Sequence, residues 1–301
     1  MNIINEFYKR FDRFGEKAES VSVPHSVCLL GTPDLPTVPS VGISLSFGTE
    51  CAYRKRKDDR IIIKYTDSPN TDSVNITDTK SFYVEKSVKQ MLNSISQLTE
   101  KMCGAELLLH SDTSTSDFSH KRLCAVKAYS AITNSEDSFR TIIKAAASAP
   151  FEIVSVIPDA RFVIINNITL DYFFYPFNFD GYKIVCIKSG NTRHIKPSSG
   201  FIEREKCRIN CLDTALKTNN ICELGDIISE SGKDIISISN IRTINNLYSF
   251  ASDFTKYIRP FYDYSGLFAI IENEKCDEFI KVIGLKHQKK TGKKPVFYIS
   301  D

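Results

Sequence analysis

The chain has 301 residues, of which 42% are hydrophobic, 25% charged and 11% aromatic. This is an ordinary globular mix, and it excludes disordered, collagen-like and coiled-coil classes. The 39 basic and 36 acidic residues leave a formal charge of +3, too small a surplus to predict a nucleic-acid or membrane-surface partner.

The length suits two domains of about 150 residues each. No run approaches the 18 apolar residues of a membrane-spanning helix. The start of the chain mixes Glu6, Lys9, Arg10, Asp12 and Arg13 with its aromatics, so no secretory leader is expected. The nine cysteines include no C-x-x-C pair. Cys207 and Cys211 share a helix face at i, i+4, but two ligands do not make a zinc site. Buried free thiols, no metal and a reducing, cytoplasmic compartment are therefore expected. The sequons at Asn75 and Asn167 carry no weight without export.

Taken in order, residues 1–15 predict an amphipathic helix, with Phe7, Phe11 and Phe14 at i, i+4, i+7 and Gly15 as its stop. Val27–Leu30 is a short apolar strand, and the three prolines between Gly31 and Pro39 predict a loop. Ile43–Phe47 and Cys51–Arg54 read as two strands of a hairpin around Gly48, with Ile61–Tyr65 as a third strand and 66–80 as a polar loop. Val84, Val88, Met91, Leu92, Ile95, Leu98 and Met102 keep helical spacing, which predicts a core-facing helix. Leu107–Leu109 is a brief strand. It enters the hydroxyl-rich segment Ser111–Asp117, followed by helices over about 119–132 and 136–149.

Strands are predicted at 162–165, 172–175 and 183–188, then helical periodicity near 200–217, 223–231 and 240–258. A strand at 267–271, a helix at 277–287 and a closing strand at 296–299 complete the chain. The Lys-rich turn at 289–294 lacks the glycine frame of a P-loop. Strands and helices mix without strict alternation, so the fold class is α+β.

Several segments, in order, resemble the galactokinase branch of the GHMP small-molecule kinases. That family has a helix ending in Phe-Gly, then P-G-R-V-N-L-I-G-E-H-T-D-Y, then F-G-T with basic residues after it. This chain has Phe14-Gly15, Pro24-His-Ser-Val-Cys-Leu-Leu-Gly31, Phe47-Gly-Thr49 and Tyr53-Arg-Lys-Arg-Lys57. Later it has Asp180-Gly-Tyr-Lys-Ile-Val185, Arg193-His194, Phe201-Ile-Glu-Arg204-Glu-Lys-Cys207 and Lys289-Lys-Thr-Gly-Lys-Lys-Pro-Val-Phe-Tyr298. The resemblance implies a two-domain fold, an N-terminal mixed sheet with helices over 1–179 and a C-terminal α+β sandwich over 180–301. It also implies a site between them where ATP phosphorylates a sugar.

The chemistry-bearing motifs depart from the family. Its glycine-rich phosphate loop falls at Ser111–Asp117, where Ser114, Thr115 and Ser116 keep hydroxyls but no glycine remains, and Asp112 and Asp117 add negative charge. Glycine is what lets backbone N–H groups close on a phosphate. The Arg of P-G-R falls at Ser26, beside His25. The base motif is shortened, leaving Asp159 as the candidate base and Arg161 two residues on. The sugar clamp becomes Thr32-Pro-Asp-Leu-Pro36, with Asp34 as the candidate sugar ligand.

Scaffold segments keep the likeness while the functional motifs lose it. That pattern predicts a catalytically impaired pseudo-kinase with a binding or regulatory role and no cofactor. A sugar or another small molecule is its expected ligand class; no protein partner can be named. The alternatives are an active ATP-dependent sugar-1-kinase with rebuilt motifs, which would use Mg-ATP, and a related fold with a different ligand.

Overall fold

The computed structural model describes residues 2–12, 15–33, 35, 37–68, 71–75, 86–98, 102–113, 118–134, 138–189 and 197–301. Contacts divide the chain into two compact units, which are interleaved in sequence. The first holds 1–25, 47–149 and 155–157; the second holds 26–46, 150–154 and 158–301.

Two long strands run through both units: β1 (Glu19–Leu30) and β2 (Ser40–Lys55), which pair with each other. No hairpin breaks β2 at Gly48. Glycine there serves close approach rather than a turn, because a Cβ would stand 2.5 Å from the Val23 carbonyl oxygen of β1.

In the first unit, helix α1 (Ile3–Arg10) is shorter than the predicted 1–15, since Phe11 is already extended. Its Ile3 and Phe7, with Phe11, cover Ala52 and Leu108. Phe14 lies outside the described residues. The sheet order is β4-β3-β5-β2, with β3 at Arg60–Tyr65, β4 at Thr71–Asn75 and β5 at Ala105–Ser111. Strand β4 stands inside the expected loop at 66–80. Strand β5 runs parallel to β3 and antiparallel to β2. Leu107, Leu108 and Leu109 are all buried, as expected of a strand covered on both faces.

Helix α2 (Lys86–Ser96) buries Met91, Leu92 and Ile95, and it ends before Leu98, which is half-buried. Val84 lies outside the described residues, as does the side chain of Val88. Helices α3 (Phe118–Ile132) and α4 (Phe139–Ala145) follow, α4 stopping short of the predicted 149 where Ala147 takes a φ of 47°. A buried carboxylate–guanidinium group ties two of the strands: Glu106 of β5 accepts from Arg54 at 2.8 Å and from Arg56 at 2.5 Å.

In the second unit, β2 pairs with β6 (Phe162–Ile165), which pairs with β7 (Tyr172–Tyr175). A separate antiparallel sheet has the order β11-β8-β10-β9, from β8 (Tyr182–Lys188), β9 (Ile258–Pro260), β10 (Gly266–Glu272) and β11 (Val296–Ser300). Its core joins Val185, Ile187, Leu267 and Ala269 to Leu247 of α7 (Arg242–Ala251) and to Phe279 and Ile283 of α8 (Cys276–Thr291). The periodicity predicted over 240–258 divides into α7 and then β9. Helices α5 (Ser199–Lys217) and α6 (Ile221–Ile238) pack on one another. The fold class is α+β, with two sheets and helices.

Among the described residues no helix is long and apolar enough to cross a membrane, and no group of three or more His, Cys, Asp or Glu side chains is placed to hold a metal. The nine cysteines are free thiols, but not all are buried as expected: Cys207 and Cys211 on α5 and Cys222 on α6 are exposed, since they fall on the outer faces of these helices.

Candidate functional site

Thr49 of β2 and Ser111 of β5 are direct cross-strand partners, so the strand register alone sets their hydroxyls side by side at 3.2 Å. The end of β1 in the first unit adds His25, and the turn after β5 adds Thr113. The imidazole Nε2 of His25 lies 3.3 Å from Thr49 Oγ1, 3.4 Å from Ser111 Oγ and 3.4 Å from Thr113 Oγ1. On its face the His25 ring stacks on His120, from the first turn of α3, with centroids 4.1 Å apart and planes at 15°. Phe47 stands beside it at 5.8 Å. His25, Thr49, Thr113 and His120 are all less than 5% exposed. Behind them the Cys124 thiol donates to the Thr49 carbonyl at 3.4 Å, and burial pushes that thiol well above its ordinary range.

The turn into the segment at 111–117 is fastened from inside. Asp112 Oδ2 accepts from the Gly48 N–H at 2.9 Å, and the Asp112 N–H donates to the Gly48 carbonyl at 2.9 Å. The Thr113 N–H reaches Ser111 Oγ at 3.4 Å. His110 Nδ1 meets Thr66 Oγ1 at 2.8 Å. Lys121, one residue after His120, is buried against Asp67 at 3.2 Å and lies over the Tyr65 ring. Ser114, Thr115 and Ser116, the expected nucleotide-loop positions, lie outside the described residues, as does Asp117.

The remaining candidates fall in the second unit. Asp34 lies outside the described residues, but the loop that carries it is anchored at both ends. At its start Gly31, with φ of 88°, donates its N–H to Glu205 Oε1 at 3.0 Å, and its carbonyl accepts from Arg259 at 3.3 Å. At its end the Val38 carbonyl accepts from Asn167 at 2.7 Å. Asp159 is exposed on a turn with φ of 58°. Arg161 donates to Ser300 Oγ at 3.4 Å and to the Asp301 carbonyl, and its guanidinium lies over Phe179. Burial lowers its pKa while Asp301 opposes the shift. It lines a cavity of about 250 Å³ with Phe177, Phe179, Tyr182 and Asn273.

Sequence reasoning singled out His25 but missed the residues around it. Thr49 and Ser111 are 62 positions apart, and nothing local marks them as neighbours. The Glu205–Arg259 pair was missed for the same reason; a charged residue on a helix reads as solvated until its partner is seen.

No family model matches the sequence, and no curated protein matches it. Solved structures do. The galactokinase of Lactococcus lactis, solved in complex with galactose, aligns with a TM-score of 0.81 at 14% identity, covering 99% of this chain and 97% of that one. Mevalonate kinase of Methanococcus jannaschii gives 0.67 at 16% identity, over 93% and 97%. Homoserine kinase of Cytophaga hutchinsonii gives 0.69 at 12% identity, over 97% and 96%. At these identities the likeness shows the fold alone: this chain has the fold of the GHMP small-molecule kinases.

Proposed function

We propose that the protein is a catalytically impaired kinase homologue of galactokinase type, acting by binding a sugar or another small molecule rather than by phosphoryl transfer. One observation carries this reading: the backbone N–H groups leading into the nucleotide-loop position already have partners. Those of Gly48, Asp112 and Thr113 serve Asp112, Gly48 and Ser111. Phosphate binding at a helix N-terminus depends on such groups pointing at the ligand. The His25 ring is also stacked and buried against His120 in the first turn of α3.

Mg-ATP fits these residues poorly. Asp112, the described carboxylate at that position, accepts from Gly48 and so has one oxygen committed. In this reading the described residues carry no phosphoryl-transfer step. The candidate base Asp159 keeps, in this reading, only its place on an exposed turn.

The rival reading, an active ATP-dependent sugar-1-kinase with rebuilt motifs, draws on the 0.81 alignment with galactose-bound galactokinase. Calorimetry with a panel of hexoses and with Mg-ATP separates the two. The proposal expects sugar binding to be independent of nucleotide and Mg-ATP to give no saturable heat. Saturable Mg-ATP binding that is abolished by Asp112→Ala would overturn it.

A further inference from the structure

The C-terminal helix carries a concentration of charge unlike the rest of the chain. From Phe279 to Ser300 there are six lysines and no acid, in a protein whose net charge is only +3. Three of the six, Lys286, Lys289 and Lys290, stand at i, i+3 and i+4 and so share one face of α8. That face lines a groove of about 400 Å³ whose other wall is Asn246 and Phe250 of α7.

Lysines near a helix C-terminus complement the macrodipole, and this accounts for Lys289 and Lys290 in the last turn. It does not account for Lys286, earlier on the helix, or for the concave surface in front of the three. Among the described residues, Asp253 pairs with Lys286 at 2.6 Å and offsets one of the three ammonium groups. Three ammonium groups and one carboxylate leave the groove near +2. Half-buried Phe250, with Lys286 Nζ 5.6 Å from its ring centroid, supplies an apolar face, and the Asn246 carboxamide can both donate and accept.

A phosphomonoester carries about −1.5 to −2 at neutral pH, which matches that surplus. We propose that the groove between α7 and α8 binds a small organic phosphomonoester, its phosphate held by Lys286, Lys289 and Lys290 and its apolar or ring portion lying on Phe250. The volume is that of a small-molecule site. The inference does not depend on the reading of the hydroxyl and histidine cluster, which lies in the other unit.

Calorimetry of the full chain with phenyl phosphate, glucose 6-phosphate and inorganic phosphate tests it. Phenyl phosphate is expected to bind at one site per chain, about tenfold or more tighter than inorganic phosphate, and to weaken as salt rises. The double variant Lys289→Glu/Lys290→Glu changes two exposed side chains, and it is expected to abolish binding of all three probes. Phe250→Leu keeps apolar volume without the ring; it is expected to weaken phenyl phosphate while leaving inorganic phosphate unchanged. Absence of saturable phenyl phosphate binding, or binding that survives the double variant, overturns the site. Equal affinity for phenyl and inorganic phosphate overturns the role given to Phe250.

Discussion

Arg259 and Glu205 are 1% and 0% exposed as side chains, and each is satisfied several times over. Arg259 donates to Glu205 Oε1 at 3.2 Å, to Ser231 Oγ at 2.9 Å and to the Cys28 and Gly31 carbonyls. Glu205 also accepts from Arg208 at 3.1 Å. A buried pair gains little over an apolar replacement, but removing one partner strands the other charge and costs about 3–5 kcal/mol. Glu205→Ala is therefore expected to lose about that much stability in urea titrations. Glu205→Ala/Arg259→Met should recover a large part of it. A single-variant loss under about 1 kcal/mol would contradict this account of the pair.

Cys186, fully buried in β8, gives a pH dependence at the same scale. Burial raises its thiol from an ordinary 9.0 to about 12. The folded value lies above the unfolded one, so the contribution is whole below pH 9 and is lost as pH rises toward 12. Burial and the Glu19 carboxylate raise Tyr53 from 10.0 to about 12, with the same sign. Stability should fall across that window, and Cys186→Ala should flatten the fall in Tm measured against pH. Identical slopes for the two proteins would contradict the assignment. In sequence Cys186 has a place in the strand expected over 183–188 and the general expectation of a buried thiol, but nothing there shows how completely this one is enclosed. Burial is a property of the packed strand, and the strand itself was the part that periodicity could find.

At the scale of elements, Gly48 was misread because glycine between two β-branched or aromatic runs has two meanings. A turn needs its positive φ; a strand packed against another needs its missing Cβ. The second applies here, with the Val23 carbonyl oxygen 2.5 Å from where a Cβ would stand. Gly48→Ala is expected to cost about 1–3 kcal/mol through overpacking, read as a lower urea midpoint. Capping makes a smaller prediction. Ser198 Oγ accepts from the Phe201 N–H at 3.2 Å at the start of α5, so Ser198→Ala should cost about 1 kcal/mol. An unchanged midpoint would mean that water replaces the cap at no cost.

Strands β6 and β7 fell at the expected residues because each is a short β-prone run closed by turn residues on both sides. Helix α2 and the split of 240–258 into α7 and β9 were less legible. Apolar spacing persists past a helix end when the next segment also faces the core, as Ile258 does.

For the whole molecule, ordered motifs along the chain pointed to the kinase fold, and the aligned solved structures share it. The site was harder to read. The absence of glycine from 111–117 was visible in sequence as a departure from the resembled motif, but the stacked histidines, the Asp112–Gly48 clasp and the Thr49–Ser111 register depend on pairings between distant strands. The central claim is that this fold is kept without its phosphoryl transfer. The most direct test measures ADP release from Mg-ATP in the presence of galactose, at an enzyme concentration high enough to see slow turnover. The account predicts a rate indistinguishable from the protein-free background. Sugar-dependent ADP release that disappears in Asp159→Asn would contradict it.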